Sequence, residues 1–389
     1  MNVVFSWELG AGYGHVQPVM AMGHRLRAAG ARISCLLPDL RFKQVLSQTL
    51  DAEVHVLPQP PRPDASDRPV SWPDLLQAHG YASVDALTSR VVTVRETLRS
   101  LAPDLLLMEH APVTLLASRG LTGARALHGT GFTLPPALLP LPTFRPDPDQ
   151  RAPEAEGRLL LAANQALAAI SQPRLGQLSE MLAVDHEFLC TLPALDHYGE
   201  RSAADYCGPL LIRQEHPAQH WPAPGGSPLL VYLKGHWPGL NGLLSALGEL
   251  PVQALVHIDG ERAGSYLAPD NVRVCQTPLD FPALLEQANL VIHHGGHTLA
   301  CQALLAGVPQ WCVPLNAEQE ITARRLNQIG CGHFYSGGGS LGRLRKVLGR
   351  VLADQSMAAS AQEMANRHSS WQIEQQLDRV TRTCLSMLG

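Results

Sequence analysis

HHGGHTLACQALLAGVP, residues 293–309, is the stretch whose reading decides the fold of this chain. Before it runs NLVIHH, an apolar and β-branched segment of strand length. After the paired glycines, LACQALLAG carries apolar residues at helical spacing and closes on Gly-Val-Pro. Strand, glycine turn and helix in so few residues make a βα unit. PQWCVPL then starts another strand at once, which is the rhythm of a parallel sheet.

Working outward, the same rhythm recurs on both sides of a Pro-, Gly- and His-dense stretch at 206–228 that reads as a linker. Beyond it, PLLVYLKG, VQALVHI and NVRVCQ read as strands, and LNGLLSALGEL and DFPALLEQA as helices. Ahead of it, NVVFS, ARISCLLP, APDLLLMEH and ARALHG read as strands. A helix is expected over PVMAMGHRLRAAG with Gly30 at its carboxyl cap, and others over 82–101 and 157–183. The Pro-rich stretches 57–73 and 133–153 read as irregular loops. The fold class expected is α/β, two Rossmann-like, doubly wound domains facing an interdomain cleft. Residues 1–203 would form one domain and 204–369 a second, with 370–389 a terminal helix returning to the first.

Composition narrows the partners. The chain has 389 residues and a formal charge of −4 without runs of like charge, so it offers no basic field for nucleic acid or an anionic membrane. Eight cysteines lie scattered, without C-x-x-C spacing and mostly inside apolar runs, which reads as reduced thiols and a cytoplasmic protein. MNVVFSWELGAG lacks the basic start of a signal peptide, and no apolar stretch is long enough to span a bilayer.

The chemistry lies at expected strand ends. Gly295 and Gly296 place bare amides where the helix of residues 297 onward begins, and such a terminus attracts anions; His294 can add a side-chain hydrogen bond. A Gly-Gly turn is also a common way to enter a helix without binding anything. A metal held by His293, His294 and His297 is disfavoured, because neighbouring strand residues face opposite ways. Glu318 and Gln319 follow the next strand on the same carboxyl edge, where a carboxylate beside an amide suits sugar hydroxyls. The loop GAGYGH fails as a dinucleotide fingerprint in both registers. It nevertheless offers His15 at the start of a helix as a general base, with Glu109 on the same rim to hold the ring's other nitrogen.

Taken together, these motifs resemble the inverting UDP-glycosyltransferase family of GT-B fold. The resemblance rests on 271–332, with HGG, the Ala-Leu pair, GVP, P-x-x-x-E-Q and G-x-G in order, on GYGHVQP with Gly12 and Gly14, and on Gly208-Pro209. It implies a metal-independent hexosyl transfer from a UDP- or dTDP-sugar to an acceptor hydroxyl or other nucleophile, with no cofactor besides that co-substrate. By resemblance the diphosphate would lie on His294 and the amides of Gly295, Gly296, His297 and Thr298, with Gly235 and His236 on the phosphate side. Gln276, Thr277 and Gln302 would face the nucleoside, Glu318 and Gln319 the donor sugar, and His15 with Glu109 the acceptor.

Three departures stand out. Gln302 replaces the glutamate that grips the ribose, which favours a deoxyribose donor; Gln276 replaces a base-stacking aromatic; and Lys234 precedes the phosphate-side Gly235-His236. A nucleotide-sugar epimerase on the same fold, and a donor-binding pseudoenzyme or partner subunit, remain as alternatives. The acceptor, a small molecule, lipid or peptide, is not legible, and the chain would act as a monomer or homodimer.

Overall fold

The computed structural model describes residues 1–10, 12–60, 68–212, 217, 219–222, 225–260, 266–275, 277–335 and 341–388. Gln276 lies outside the described residues. The chain divides into two compact units, Met1–Ile212 with Ile373–Gly389, and Arg213–Gln372.

In the first unit the order is β1 (Asn2–Trp7), α1 (Tyr13–Ala28), β2 (Arg32–Leu37), α2 (Lys43–Leu50), β3 (Glu53–Val56), α3 (Trp72–Ala78), α4 (Val84–Leu101), β4 (Leu105–Glu109), α5 (Pro112–Ala117), β5 (Ala124–Gly129), α6 (Arg151–Ala169), β6 (His186–Leu189) and β7 (Asp205–Tyr206). The strands form one sheet in the order β3-β2-β1-β4-β5-β6-β7, every pair parallel. Because β7 still pairs with β6, this unit continues past residue 203.

Both faces of this sheet are covered, which explains why its strands are apolar throughout rather than alternating. Val3, Phe5, Trp7, Leu105 and Leu107 pack on the face of α1, while Val4, Leu106 and Met108 pack on the face of α4 and α6. Several elements escaped the sequence reading. The helix after the first glycine-rich segment begins at Tyr13, not at Pro18: Gly12 caps it in extended conformation, and Pro18 sits inside it. Proline there removes only the bond that would reach back to Gly14, near the amino end. Helix α3 forms at the end of a Pro-rich stretch because Ser71 accepts the Asp74 amide at 3.2 Å and a proline occupies the first turn.

The second unit contains β8 (Ser227–Lys234), α7 (Leu240–Gly248), β9 (Val252–Asp259), β10 (Val272–Cys275), α8 (Phe281–Leu285), β11 (Leu290–His293), α9 (His297–Leu305), β12 (Gln310–Cys312), α10 (Ala317–Gln328), β13 (Gly332–Phe334), α11 (Leu341–Leu352) and α12 (Gln355–Arg367). Its sheet is again parallel, in the order β10-β9-β8-β11-β12-β13. Leu229, Val231, Leu290 and Ile292 face α7 and α11; Leu230 and Val291 face α8 and α9. Among the described residues no helix is long and apolar enough to cross a membrane.

The last helix, α13 (Ile373–Ser386), belongs to the first unit. Leu377, Val380 and Cys384 enter the core beneath α1, and Arg25 on α1 pairs with Glu374 and Asp378. Arg379 bonds Asp205 at 2.5 Å and the Tyr206 carbonyl at 3.1 Å, tying the helix to β7. Truncating Leu377 to alanine leaves a cavity in that core. We expect urea unfolding of Leu377→Ala to show a loss of about 2–4 kcal/mol, and an unchanged midpoint would disprove the docking.

Candidate active site

In each sheet the two central strands send their following helices to opposite faces. That leaves the carboxyl ends of β1 and β4, and of β8 and β11, uncovered by their own crossovers, which is where open α/β sheets take ligands.

In the first unit Trp7 and Glu109 are register partners at the ends of β1 and β4, both on the α1 side. His15, in the first turn of α1, stacks on Trp7 with ring centroids 4.9 Å apart, and its Nδ1 lies 2.9 Å from Glu109 Oε2. A carboxylate accepts only, so Nδ1 carries the proton and Nε2 becomes the basic nitrogen. Burial would raise the Glu109 pKa, but the His15 charge and hydrogen bond, with His110 and His128 nearby, carry it below the ordinary carboxylate value. Gly10 is required here: its φ is +113°, and a Cβ on it would lie 2.1 Å from His15 Nε2. Gly12 and Gly14 flank the turn, Gly12 as the cap of α1 and Gly14 inside its first turn.

Two residues of this corner were missed in sequence. Trp7 supplies the stacking surface, its indole donating to the Leu9 carbonyl at 2.7 Å. Glu8 is buried, and its carboxylate accepts the amides of Val113 (3.1 Å) and Thr114 (2.8 Å) at the start of α5, beside Arg90 at 3.6 Å. Burial raises the Glu8 pKa against these partners. A Trp-Glu pair closing an apolar strand was the available signal, since a carboxylate there is buried only when its oxygens are bonded.

In the second unit the opening motif folds tightly. His293 faces α9, donating from Nε2 to Gln310 Oε1 at 3.0 Å, while Gln310 donates to the Ala300 carbonyl inside α9 at 3.0 Å. The Gly295 amide closes the turn on His293 Nδ1 at 3.2 Å. His294 faces the other way. Its Nδ1 donates to the Val313 carbonyl at 2.7 Å, and its Nε2 accepts the Lys234 amide at 2.8 Å. Burial lowers the pKa of both rings, His293 to about 4. It does the same to His297, also to about 4.

These bonds redistribute the expected anion donors. Both nitrogens of His294 are engaged within the protein, so its neutral ring ties β8 to β11 and the loop after β12 instead of offering a donor. The Gly295 amide serves His293, and the Gly235 amide donates to the Asp259 carbonyl at 3.2 Å. The amides of Gly296, His297 and Thr298 stand ahead of the first rung of the α9 ladder, the bond from Ala300 N to the Gly296 carbonyl. Thr298 and Gln302, one turn apart on α9, are both half-buried and share its accessible stripe.

Gly295 has φ +87°, and a Cβ there would lie 2.7 Å from the Gln319 carbonyl, so the first turn of α10 presses against this turn. Glu318 and Gln319 are thereby brought beside Gly295. Gln319 also caps its own helix: its amide donates to Asn316 Oδ1 at 3.0 Å, and its Oε1 accepts the Leu315 amide at 2.8 Å. Thr277 accepts from Gln219 Nε2 at 3.1 Å, and His236 is exposed beyond β8. Lys234, at the end of β8, holds Asp259 at the end of β9, 3.3 Å from Nζ.

Residues 241–377 match the model of the Erythromycin biosynthesis protein CIII-like, C-terminal domain. The TDP-daunosamine transferase DnrS of Streptomyces peucetius is 33% identical over 128 residues, covering 32% of this chain and 30% of that protein. The chain thus spans about a third of the length of that curated relative. Among solved structures, the calicheamicin glycosyltransferase CalG4 superposes with a TM-score of 0.70 at 20% identity, covering 99% of this chain and 98% of that one. The glycosyltransferase VinC in complex with dTDP gives 0.67 at 17%, over 98% and 100%. With two parallel sheets that follow these structures almost end to end, the chain has their GT-B fold, and residues 241–377 match the EryCIII-like C-terminal domain.

Proposed function

We propose that this chain is an inverting, metal-independent glycosyltransferase that moves a sugar from a nucleoside diphosphate, UDP- or dTDP-linked, to an acceptor hydroxyl. The carrying observation is the His15–Glu109 pair at 2.9 Å on the carboxyl edge of the first sheet. His15 Nε2 takes the acceptor proton while the oxygen bonds to the anomeric carbon and the bond from that carbon to the diphosphate breaks on the opposite face. Glu109 stabilises the imidazolium so formed. The departing charge meets the amides at 296–298. Glu318 and the Gln319 side chain, beside that turn, would read the sugar, and Thr277 and Gln302 the nucleoside.

The names of the relatives support the donor class: one is a TDP-sugar transferase, and one solved neighbour holds dTDP. Gln302 fits a thymidine donor better than a uridine one, since an amide offers one acceptor where a carboxylate offers two for a ribose diol. The acid–base pair itself favours transfer over mere donor binding, because a binding subunit has no use for an oriented imidazole.

Thermal shift with dTDP, UDP and GDP tests the donor half. A ligand at about 100 times its dissociation constant adds ~2.7 kcal/mol, so dTDP or UDP should raise the melting temperature, and no response to any of the three rejects the reading. For the acceptor half, His15→Ala should lower kcat by about 10²–10⁴-fold with nucleotide affinity intact, on any acceptor that the unmodified protein glycosylates. Turnover of His15→Ala at the parental rate removes the base. Gly10→Ala, which pushes the ring aside, should cost roughly 10²-fold in kcat.

A further inference from the structure

In the donor corner of the second unit the His294 ring is committed within the protein. His294 is saturated by the Lys234 amide and the Val313 carbonyl, and the Gly235 and Gly295 amides are engaged as well. What this corner does hold is a lysine: the Lys234 side chain is 44% exposed, and Asp259 beside it is 43% exposed. The same backbone amide that fixes His294 therefore fixes the root of this ammonium at the point where β8 and β11 diverge. Lys234, His236 and Asp259 all act electrostatically on the His294 ring, which places the four groups in one corner.

We propose that Lys234 is a charge-neutralising residue for the donor diphosphate, held by Asp259 until the donor arrives and then transferred to the phosphates. This rests on the donor reading above and adds a charged residue, beside the amides at 296–298, that favours a diphosphate over a bare nucleoside. An ion pair as exposed as Lys234–Asp259 is weak and easily exchanged. A dianionic or trianionic ligand a few ångströms away competes for the ammonium with more charge than one carboxylate. Asp259 then works against the ligand, as a like charge at the rim, and keeps the ammonium placed until the ligand comes. The chemistry is recognition only, and no covalent bond changes.

Calorimetric titration with dTDP and with thymidine separates the outcomes. Lys234→Met should bind dTDP about thirtyfold more weakly, as expected for loss of a charge-assisted hydrogen bond, while thymidine affinity stays unchanged. Lys234→Arg should keep most of the dTDP affinity, and Asp259→Asn should tighten dTDP severalfold by removing the competing carboxylate. Parental dTDP affinity in Lys234→Met overturns the assignment, as does a parallel loss of dTDP and thymidine, which marks a defect of the fold. Should the unmodified protein bind neither dTDP nor UDP, the donor reading itself falls and Lys234 with it.

Discussion

Everything chemical in this molecule depends on one constraint of parallel sheets: a strand whose right-handed crossover leaves on one face, beside a strand whose crossover leaves on the other, ends in an opening that no helix covers. Both units contain that arrangement at their centre, β1 beside β4 and β8 beside β11. Along these four strands the acidic, lysine and histidine side chains lie at the last positions. There the first unit places Trp7, Glu8 and Glu109, and the second places Lys234, Asp259 and His294. The side-chain period of two then decides which of these can meet. Trp7 and Glu109 share a face and a register, and a residue from the first turn of the helix on that face, His15, completes the group.

The two histidines of the opening motif show how the same side chain serves different ends. His293 is entirely buried between β11 and α9, where its neutral ring joins the Gly295 amide to Gln310 and thence to the backbone of α9. His294 points away and joins three separate strand ends. Each ring has its donor and its acceptor matched, which is the state that buried imidazole must reach to avoid the cost of an unpaired polar atom. The consequence is rigidity: the turn that carries the amides at 296–298 is held by a hydrogen-bonded scaffold already in place. Under the proposed donor reading, the histidines would act on an anion through the backbone they position.

Much of this was legible in sequence, for identifiable reasons. The βα rhythm was readable because strands covered on both faces write themselves as unbroken apolar runs, as in LLLME and LVIH. The weak strands HEFL and GHF and the edge strand EVHV were not readable, since short or half-exposed strands carry neither a long apolar run nor a clear alternation. The glycine turn at 295 and the helix start that carries His15 were readable because local backbone geometry sets both. Side-chain duties transferred less well. Whether His294 points a nitrogen at a ligand or at Val313 depends on a residue nineteen positions away, and no local pattern encodes that. Asp259 lay in plain sight at the end of VHID, and a carboxylate at the carboxyl edge of a buried strand was signal enough to have been marked beside Lys234.

The carboxylate that holds His15 is a glutamate, whose oxygens stand one methylene further from the backbone than an aspartate's. Its Oε2 lies 2.9 Å from His15 Nδ1, with the end of the neighbouring strand beside it. β5 pairs with β4 and ends in Gly129, whose φ is +154°; a Cβ built there would lie 3.5 Å from Glu109 Cγ and 3.6 Å from its Oε1. A side chain at 129 would meet Thr133 Oγ1 at 2.3 Å, whereas its approach to Glu109 would be an ordinary contact. The Glu109 carboxylate meets the imidazole where it is stacked on Trp7 and rooted in the first turn of α1.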